Sequence, residues 1–359
     1  MPALNNFAKF FLNEDWKNVK AAQRVFLGAF GKHPGWNDHM DPVGLVTATL
    51  VEAREMIYGG IAHQIEHAAW DKAGADKVLP GFDHVFHWRR LNESLTGLMW
   101  SSQDGKGRAL YPMITLAHCV TRSFTWLASE VLPALENVKT KCRETTSSGV
   151  VIAHIRGVEQ NLQAKMPDPN RVQTSAGLGV PAWAGYFAAN PVVLRRVLHH
   201  LRRNFALFAP GQAEWCKGEK CESRTLRLPQ IPGATPAESL NAWISFLATQ
   251  LDPVVPMLGL LPNGEKWLDV VIGEPSEADF FLLRARSTQV PIVTDIPYEV
   301  GDETKSDDER VLANVARGQL PEFSCLNGQP ATANRDAAAK WLVRFRPGSR
   351  PGFFSRLFS

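Results

Sequence analysis

Two strand-and-turn stretches constrain the fold of this chain more than any other feature. The apolar residues 25–27 lead into residues 28–38, a turn rich in glycine and proline that carries Lys32 and Asp38. Residues 97–117 repeat this pattern as a strand, a polar glycine loop and a second strand, which indicates a β-hairpin. The chain is therefore expected to contain a sheet whose strands end in polar loops.

Hydrophobic spacing along the rest of the chain predicts a further strand and the helices that cover this sheet. Residues 81–90 predict a strand, so three consecutive strands favour an antiparallel arrangement. Helical spacing covers residues 7–25, 43–70, 124–138, 148–165, 191–208, 236–251 and 307–317. Two apolar runs, residues 267–272 and 280–283, predict buried strands.

Glycine and proline qualify two of these helices and mark the middle of the chain. A break is expected at Gly59 and Gly60, and Pro133 is expected to kink or divide its helix. Residues 166–191 are rich in Pro, Gly and Ala and predict an extended excursion. The fold class is therefore α+β (α/β), with a central, mainly antiparallel sheet flanked by helices and a helical and irregular insertion. Three segments are expected: residues 1–148, 149–235 and 236–359.

Composition limits the classes of function and the compartment. The chain has 359 residues and is 45% hydrophobic, which is enough to fill a sizeable core. Its net charge is only +3, so no protein-wide field attracts nucleic acid. Five scattered cysteines favour a reducing compartment. Without a signal-like leader or an apolar run of about 20 residues, a cytoplasmic protein with no transmembrane segment is predicted.

The two loop-bearing stretches resemble those of the TagF/ImpM family, accessory proteins of bacterial type VI secretion. The first block of that family is matched in register by Gly28, Phe30, Gly31, Lys32, Pro34 and Asp38. The second block is matched by Ser102, Asp104, Gly107, Arg108 and Pro112. The chain departs from the family at Trp36, Asn37, Asp38 and His39, where Arg-Gly-Asp-Phe is expected, and at Met113, where leucine is expected. The resemblance covers residues 24–140, with a fainter echo over residues 267–285.

This resemblance implies a regulatory or adaptor protein that acts after translation by binding proteins and carries out no chemistry. The implied partner is a forkhead-associated scaffold protein or the membrane-anchored core of the secretion apparatus. No cofactor is implied, and the implied place is the cytoplasm or the inner-membrane periphery through partners. The family-motif residues that would bind are Lys32, Pro34, Asp38, Ser102, Asp104, Gly107 and Arg108.

Four charged residues of these blocks are predicted to lie close together at one edge of the sheet. Lys32, Asp38, Asp104 and Arg108 each occupy a loop at a strand end, where two cations and two carboxylates neutralise each other. Two interpretations remain open. In one, Asp104 accepts turn amides and Arg108 clamps a carboxylate or carbonyls, so that the group fixes loop geometry. In the other, the group is a partner-binding face.

A histidine pair supports a competing hypothesis, a zinc-dependent hydrolase. His63, Glu66 and His67 match the H-x-x-E-H pattern of inverted zinc peptidases, and histidines one helical turn apart share a ligand face. On a helical wheel, however, Glu66 faces away from the pair, and no third ligand is identifiable. A partly buried histidine pair without metal is the other interpretation.

A third hypothesis is a docking module near the cell envelope. Residues 191–208 form a basic amphipathic helix whose polar side carries Arg195, Arg196, Arg202 and Arg203. A solvated face is the plain interpretation, and an acidic partner or phospho-ligand is the other. The basic aromatic tail, residues 346–359, is expected to dock on a partner. Cys216 and Cys221 lack the second ligand pair of a zinc knuckle. Phe26 and His33 occupy the diagnostic positions of a phosphate loop, so that motif fails.

Overall fold

One antiparallel sheet forms the centre of the molecule. The computed structural model describes residues 24–90, 93–120, 126–166, 185–186, 189–210, 223–296, 309–311 and 313. The strands are β1 (Val25–Gly31), β2 (Asp83–Arg89), β3 (Glu93–Trp100), β4 (Met113–Val120), β5 (Arg224–Pro229), β6 (Met257–Pro262) and β7 (Trp267–Ile272). They form a seven-stranded sheet in the order β1-β4-β3-β2-β6-β7-β5, and each neighbouring pair is antiparallel. The predicted α+β class and the central antiparallel sheet are therefore confirmed.

Helices cover both faces of this sheet. The helices are α1 (Ala48–Glu66), α2 (Ala69–Ala73), α3 (Leu132–Glu144), α4 (Ser148–Ala164), α5 (Pro191–Asn204) and α6 (Pro236–Gln250). Apolar residues of α1 and of a 3-10 helix, Glu277–Leu283, pack on one face, and those of α3 to α6 pack on the other. Burial on both faces explains why β4 and β6 are nearly continuous apolar runs. Among the described helices, none is both long and apolar enough to cross a membrane.

The register of the strands brings the two polar loops to the same end of the sheet. Gly31, the last residue of β1, lies opposite Met113, the first residue of β4. Met113 also lies opposite Trp100, the last residue of β3. The loops that follow β1 and β3 therefore start side by side. At the middle of the sheet, β6 pairs with β2, so the strands of residues 224–272 extend the sheet of the first segment. The division into three segments itself stays a prediction.

The long helix predicted over residues 43–70 is shorter at both ends. It begins at Ala48 because the Thr47 side chain accepts a hydrogen bond from the Leu50 amide, which is an N-cap. It does not break at the paired glycines. A Cβ on Gly60 would lie 2.2 Å from the Phe280 ring, so this glycine permits close packing. The interruption comes at Ala68, which has a left-handed backbone with φ of 47°.

One further element prediction is corrected by the structure, and the predicted division at Pro133 is confirmed. Residues 280–283, predicted as a strand, lie in the 3-10 helix, which Ser276 and Asp279 start with a capping box. The segment around Pro133 begins as a π-helix, Leu127–Val131, and continues as α3, with Pro133 in its first turn. Proline has no amide to donate there, so the first turn of a helix tolerates it. The strands β5 and β6 were not predicted.

Several sequence predictions fall outside the described residues. These are the helix of residues 7–25, most of the excursion and of the 307–317 helix, the loop with Cys216 and Cys221, and the tail of residues 346–359. The predictions for residues 81–90, 148–165, 191–208, 236–251 and 267–272 correspond to described elements of the predicted type.

Candidate functional site

The first motif loop leaves β1 through a glycine that nothing larger can replace. Gly31 has φ of +127°, and a Cβ there would lie 2.2 Å from the Pro112 carbonyl oxygen. The Lys32 amide donates to that same carbonyl at 3.2 Å. Lys32 then forms an antiparallel bridge with His39, which closes the loop of residues 32–39. This geometry turns the Lys32 side chain towards the second loop.

The second motif loop is built around Asp104. One carboxylate oxygen, Oδ1, accepts the amides of Lys106 at 2.9 Å and Arg108 at 3.1 Å, an arrangement typical of aspartate in turns. Gly107 has φ of +79°, the left-handed conformation that glycine adopts without strain. The glycine and the aspartate of this motif are therefore both explained by the turn.

The loops meet in an ion cluster made of Lys32, Asp38, Asp104 and Arg108, called the loop cluster below. Lys32 Nζ lies 2.6 Å from Asp38 Oδ1 and 2.9 Å from Asp104 Oδ2. Arg108 Nε lies 2.8 Å from Asp104 Oδ2, and its Nη2 lies 3.3 Å from Asp38 Oδ1. Each cation thus contacts both carboxylates. The structure confirms that these four predicted residues lie together.

The loop cluster has a buried inner half and an exposed outer half. The side chains of Lys32 and Asp104 are 5% and 0% exposed, whereas those of Asp38 and Arg108 are 65% and 49% exposed. Burial raises the pKa of Asp104, but the hydrogen bonds from Lys32, Arg108 and Lys106 outweigh it and hold the pKa well below the usual range. The hydrogen bond from Lys32 also lowers the pKa of Asp38. Both carboxylates are therefore ionised at neutral pH.

The inner half therefore matches the loop-geometry interpretation, and the outer half keeps the binding interpretation open. Arg108 Nη2 also donates to the Asn37 carbonyl at 2.7 Å, and the Gly105 amide donates to the Trp36 carbonyl at 2.7 Å. These bonds join the two loops through backbone as well as charge. Pro34 and Ser102 are half-buried members of the same loops.

Sequence reasoning missed the residue that anchors this site to the helices. His33 is 1% exposed; its Nε2 donates to the Cys142 carbonyl at 2.9 Å, and its Nδ1 accepts from the Gly35 amide at 3.0 Å. Burial lowers the pKa of His33, so the neutral ring is favoured. This ring connects the first loop to helix α3. A histidine between Lys32 and Pro34 carries no sequence signal for that role.

The histidine pair of the zinc hypothesis lies on the surface of α1. The His63 and His67 rings are 4.2 Å apart between centroids, and His67 Nδ1 donates to the His63 carbonyl at 2.9 Å. The carboxylate nearest His63 is Glu277, at 3.6 Å, while Glu66 is exposed. Among the described residues, no group of three His, Cys, Asp or Glu side chains is placed to hold a metal.

The basic helix is less exposed than predicted. On α5, Arg195, Arg196 and Arg202 are half-buried, and Arg203 alone of the four is exposed. Arg196 Nη1 donates to the Thr294 carbonyl, which ties this helix to the segment after β7. The four arginines therefore do not form one solvated face, because the amphipathic pattern does not show how many neighbours pack against its polar side.

Comparisons with known proteins add little to this geometry. No protein-family model matches the chain, and no curated protein matches it. Among solved structures, the chain is similar to the crystal structure of PA0076 from Pseudomonas aeruginosa PAO1, with 17% sequence identity and a TM-score of 0.35 over 72% of this chain and 93% of that chain. A TM-score of this size does not define a common fold.

Proposed function

We propose that this chain is a non-catalytic regulatory or adaptor protein of a bacterial type VI secretion apparatus, similar to TagF/ImpM proteins, and that it acts by binding another protein. One observation carries the proposal: two motif loops, far apart in sequence, converge on a cluster whose outer charges remain exposed. Asp38 is 65% exposed and Arg108 is 49% exposed. A partner that covers them completes their interactions.

The division of labour within the loop cluster favours binding over chemistry. Asp104 receives hydrogen bonds from Lys32, Arg108 and two backbone amides, so its oxygens are occupied by the fold. Its lowered pKa makes it a poor general base, since an efficient base has a pKa near the working pH. The exposed guanidinium of Arg108 has the planar donor geometry that is enriched at protein interfaces.

The resemblance supplies the setting of the proposal. The chain acts in the cytoplasm, or at the inner membrane through its partner, and the partner is the forkhead-associated scaffold protein or the membrane-anchored core of the apparatus. Binding at the loop cluster holds back assembly of the apparatus. This setting is the part of the proposal that depends on the two sequence blocks.

Co-purification with the candidate partners tests this proposal. The test variant is Arg108→Gln, which removes the exposed charge but leaves Lys32 to neutralise Asp104. The matched control is Lys141→Gln, because Lys141 is a partly exposed lysine on α3, with 40% of its side chain exposed, that contacts Glu144 at 3.7 Å. We expect Arg108→Gln to reduce capture by about tenfold or more, as removal of an interface arginine commonly does, while the control captures partner normally.

Two outcomes contradict the proposal. In the first, the unchanged protein captures neither partner. In the second, Arg108→Gln captures as much partner as the control, which means that the loop cluster is not the binding face. Thermal unfolding of both variants must give similar midpoints, so that a loss of capture is not a loss of fold.

A further inference from the structure

A group of aromatic rings lies directly beside the loop cluster. His39, Tyr58 and Tyr111 contact each other edge to face, with ring centroids 5.0 to 5.5 Å apart. The Arg54 guanidinium lies over the Tyr58 ring, 5.3 Å from its centroid. These four residues, called the Tyr58 cluster below, come from α1 and from both motif loops. The Tyr58 cluster therefore continues the exposed half of the loop cluster.

Three polar atoms of the Tyr58 cluster lack a hydrogen-bond partner in the described part of the chain. They are His39 Nε2, Tyr58 Oη and Arg54 Nε, and all three are buried. Buried polar atoms in native proteins are nearly always bonded. Arg Nε donates only, a tyrosine hydroxyl donates readily, and His Nε2 donates in one of its tautomers. The group therefore offers donors and lacks an acceptor.

The electrostatic surroundings favour a negatively charged acceptor. After burial, the strongest influence that lowers the pKa of His39 is the charge of Lys32, followed by smaller effects of Arg54 and Arg108, and Asp38 opposes them. Three cations thus act on this ring against one carboxylate. Asp104 cannot serve as the acceptor, because the loop cluster already uses its oxygens.

Carboxylates near the Tyr58 cluster limit how much negative charge the acceptor can carry. Asp38 lies 3.3 Å from His39 Nδ1, and the charge of Glu66 acts on Tyr111. A phosphate group carries nearly two negative charges at neutral pH, so both carboxylates repel it more strongly than they repel a single charge. A carboxylate suits the donors with less repulsion. The three donor atoms are themselves buried, so a carboxylate reaches them only when neighbouring side chains move. His39 and Arg108, whose side chains are 32% and 49% exposed, lie on the solvent side of the group.

We propose that the Tyr58 cluster binds a carboxylate from an acidic segment of the partner protein, held by Tyr58 Oη, Arg54 Nε and His39 Nε2. This inference deepens the proposed function, and it depends on that function only for the statement that the carboxylate belongs to a protein. The loop cluster supplies the neighbouring exposed charges, Asp38 and Arg108. The aromatic rings exclude water from the bound group, which strengthens its hydrogen bonds.

Titration of the purified full-length chain with short peptides tests this site. The probe is acetyl-(Gly-Glu)3-amide, the neutral control peptide is acetyl-(Gly-Gln)3-amide, and inorganic phosphate is a competitor. The test variant is Tyr58→Phe, which removes one buried hydroxyl without changing the ring. The matched control is Lys106→Gln, since Lys106 is an exposed cation of the second motif loop that lies outside the Tyr58 cluster.

We expect the glutamate peptide to bind and the glutamine peptide not to bind. Tyr58→Phe should weaken binding by about tenfold, the effect of one charge-assisted hydrogen bond, and Lys106→Gln should bind like the unchanged protein. Without peptide, Tyr58→Phe should unfold at the same temperature or higher, because the hydroxyl has no partner among the described residues.

Several other outcomes overturn the inference. If the glutamate peptide does not bind, or if Tyr58→Phe binds it unchanged, then the donors serve ordered water only. Equal losses in Tyr58→Phe and Lys106→Gln indicate unspecific charge attraction. Stronger binding of phosphate than of peptide removes the carboxylate assignment. Normal peptide binding together with failed partner capture refutes the proposed function but leaves this site intact.

Discussion

The two edge strands of the sheet both carry charged groups, but they treat those groups in opposite ways. At one edge, Arg227 of β5 forms a two-pronged pair with Asp269 of β7, with both N–O distances at 2.7 Å. Two further donors of this guanidinium go to the carbonyls of Val290 and Ala285. The side chains of the pair are 0% and 1% exposed. This edge is closed, and its charges position the segment that covers β5.

At the other edge, β1 ends in the loop cluster, where only the inner charges are closed off. Lys32 and Asp104 are buried like the β5 pair, yet Asp38 and Arg108 face solvent. Similar residue types therefore serve two purposes. When a charged pair is buried and hydrogen-bonded inside the molecule, the charges fix structure. When half of the charges remain exposed, beside donors that have no partner in the described part of the chain, they offer a surface to another molecule.

The largest expected effect comes from opening the closed edge. Asp269→Leu leaves the Arg227 guanidinium buried without its counter-ion, which should cost about 3–5 kcal/mol in the free energy of unfolding. The double variant Arg227→Met with Asp269→Leu should recover most of this loss, because apolar side chains of similar volume replace a buried pair well. Urea unfolding of the three proteins measures both values. A single variant as stable as the unchanged protein would contradict the closed description.

Urea unfolding can also compare how much the buried and the exposed half of the loop cluster contribute to stability. Lys32→Met removes the buried cation and should cost about 3 kcal/mol, the low end for a broken buried pair, because Arg108 still contacts Asp104. Arg108→Gln removes the half-exposed cation and should cost less than about 1 kcal/mol. Urea unfolding midpoints compare the two. Equal losses would show that the outer half is as structural as the inner half.

The sequence predicted much of the open edge because its signals are local. The glycines that turns require, an aspartate that accepts turn amides and the neighbouring apolar strands all occur within short stretches. The grouping of Lys32, Asp38, Asp104 and Arg108 could therefore be predicted. The closed edge gave no such signal. In β5, Arg227 occupies a buried position where the strand pattern requires an apolar residue. Its charge is compensated there by Asp269, which is distant in sequence.

Other features that the sequence did not predict also depend on contacts between residues far apart in the chain. Gly259 interrupts the apolar run of β6, yet it lies where a Cβ would be 2.4 Å from Leu240 of α6, so the glycine serves the contact between helix and sheet. The Tyr58 cluster was missed because Arg54 and Tyr58 look like ordinary residues of a surface helix. Only the folded chain shows that Arg54 Nε and Tyr58 Oη lie beside His39 without a hydrogen-bond partner among the described residues.

Acidification should destabilise the protein through the buried, neutral histidines of the central strand β2, and not through the charged groups at the sheet edges. Burial lowers the pKa of His84 to about 4 and that of His87 to about 3, from the ordinary 6.5. Below pH 6.5 the unfolded chain binds protons at these histidines that the folded chain does not bind. The free energy of unfolding is therefore highest above pH 6.5 with respect to these groups, and it decreases as the pH falls below 6.5. Each ring should cost about 2 kcal/mol at pH 5. The carboxylates of the loop cluster have lowered pKa values and stay ionised over this range.

Replacement of one central histidine tests that assignment. His87→Gln should reduce the slope of unfolding free energy against pH, between pH 5 and 6, by about 1.2 kcal/mol per pH unit, a little less than the value for one whole proton. Urea unfolding at several pH values provides the slope. If the slope is unchanged, the acid sensitivity arises elsewhere, and the central strand does not differ from the edges in the way described.

The smallest effect concerns how the β1 edge is kept from pairing with another strand. The amides of Val25 and Leu27 donate to Gln163 Oε1 and Glu159 Oε1 of α4, each at 3.1 Å. One turn of helix spans nearly the same distance as two residues of strand, so these side chains follow the strand like a partner. Glu159→Ala should cost about 1 kcal/mol in the free energy of unfolding, the value of one hydrogen bond, while Glu159→Gln keeps the acceptor and should cost less.

The double variant Glu159→Ala with Gln163→Ala should also self-associate in sedimentation experiments, because edge amides without an acceptor can pair with another strand. If Glu159→Gln loses as much stability as Glu159→Ala, then Glu159 acts through its charge, and the edge is protected by something other than these two caps.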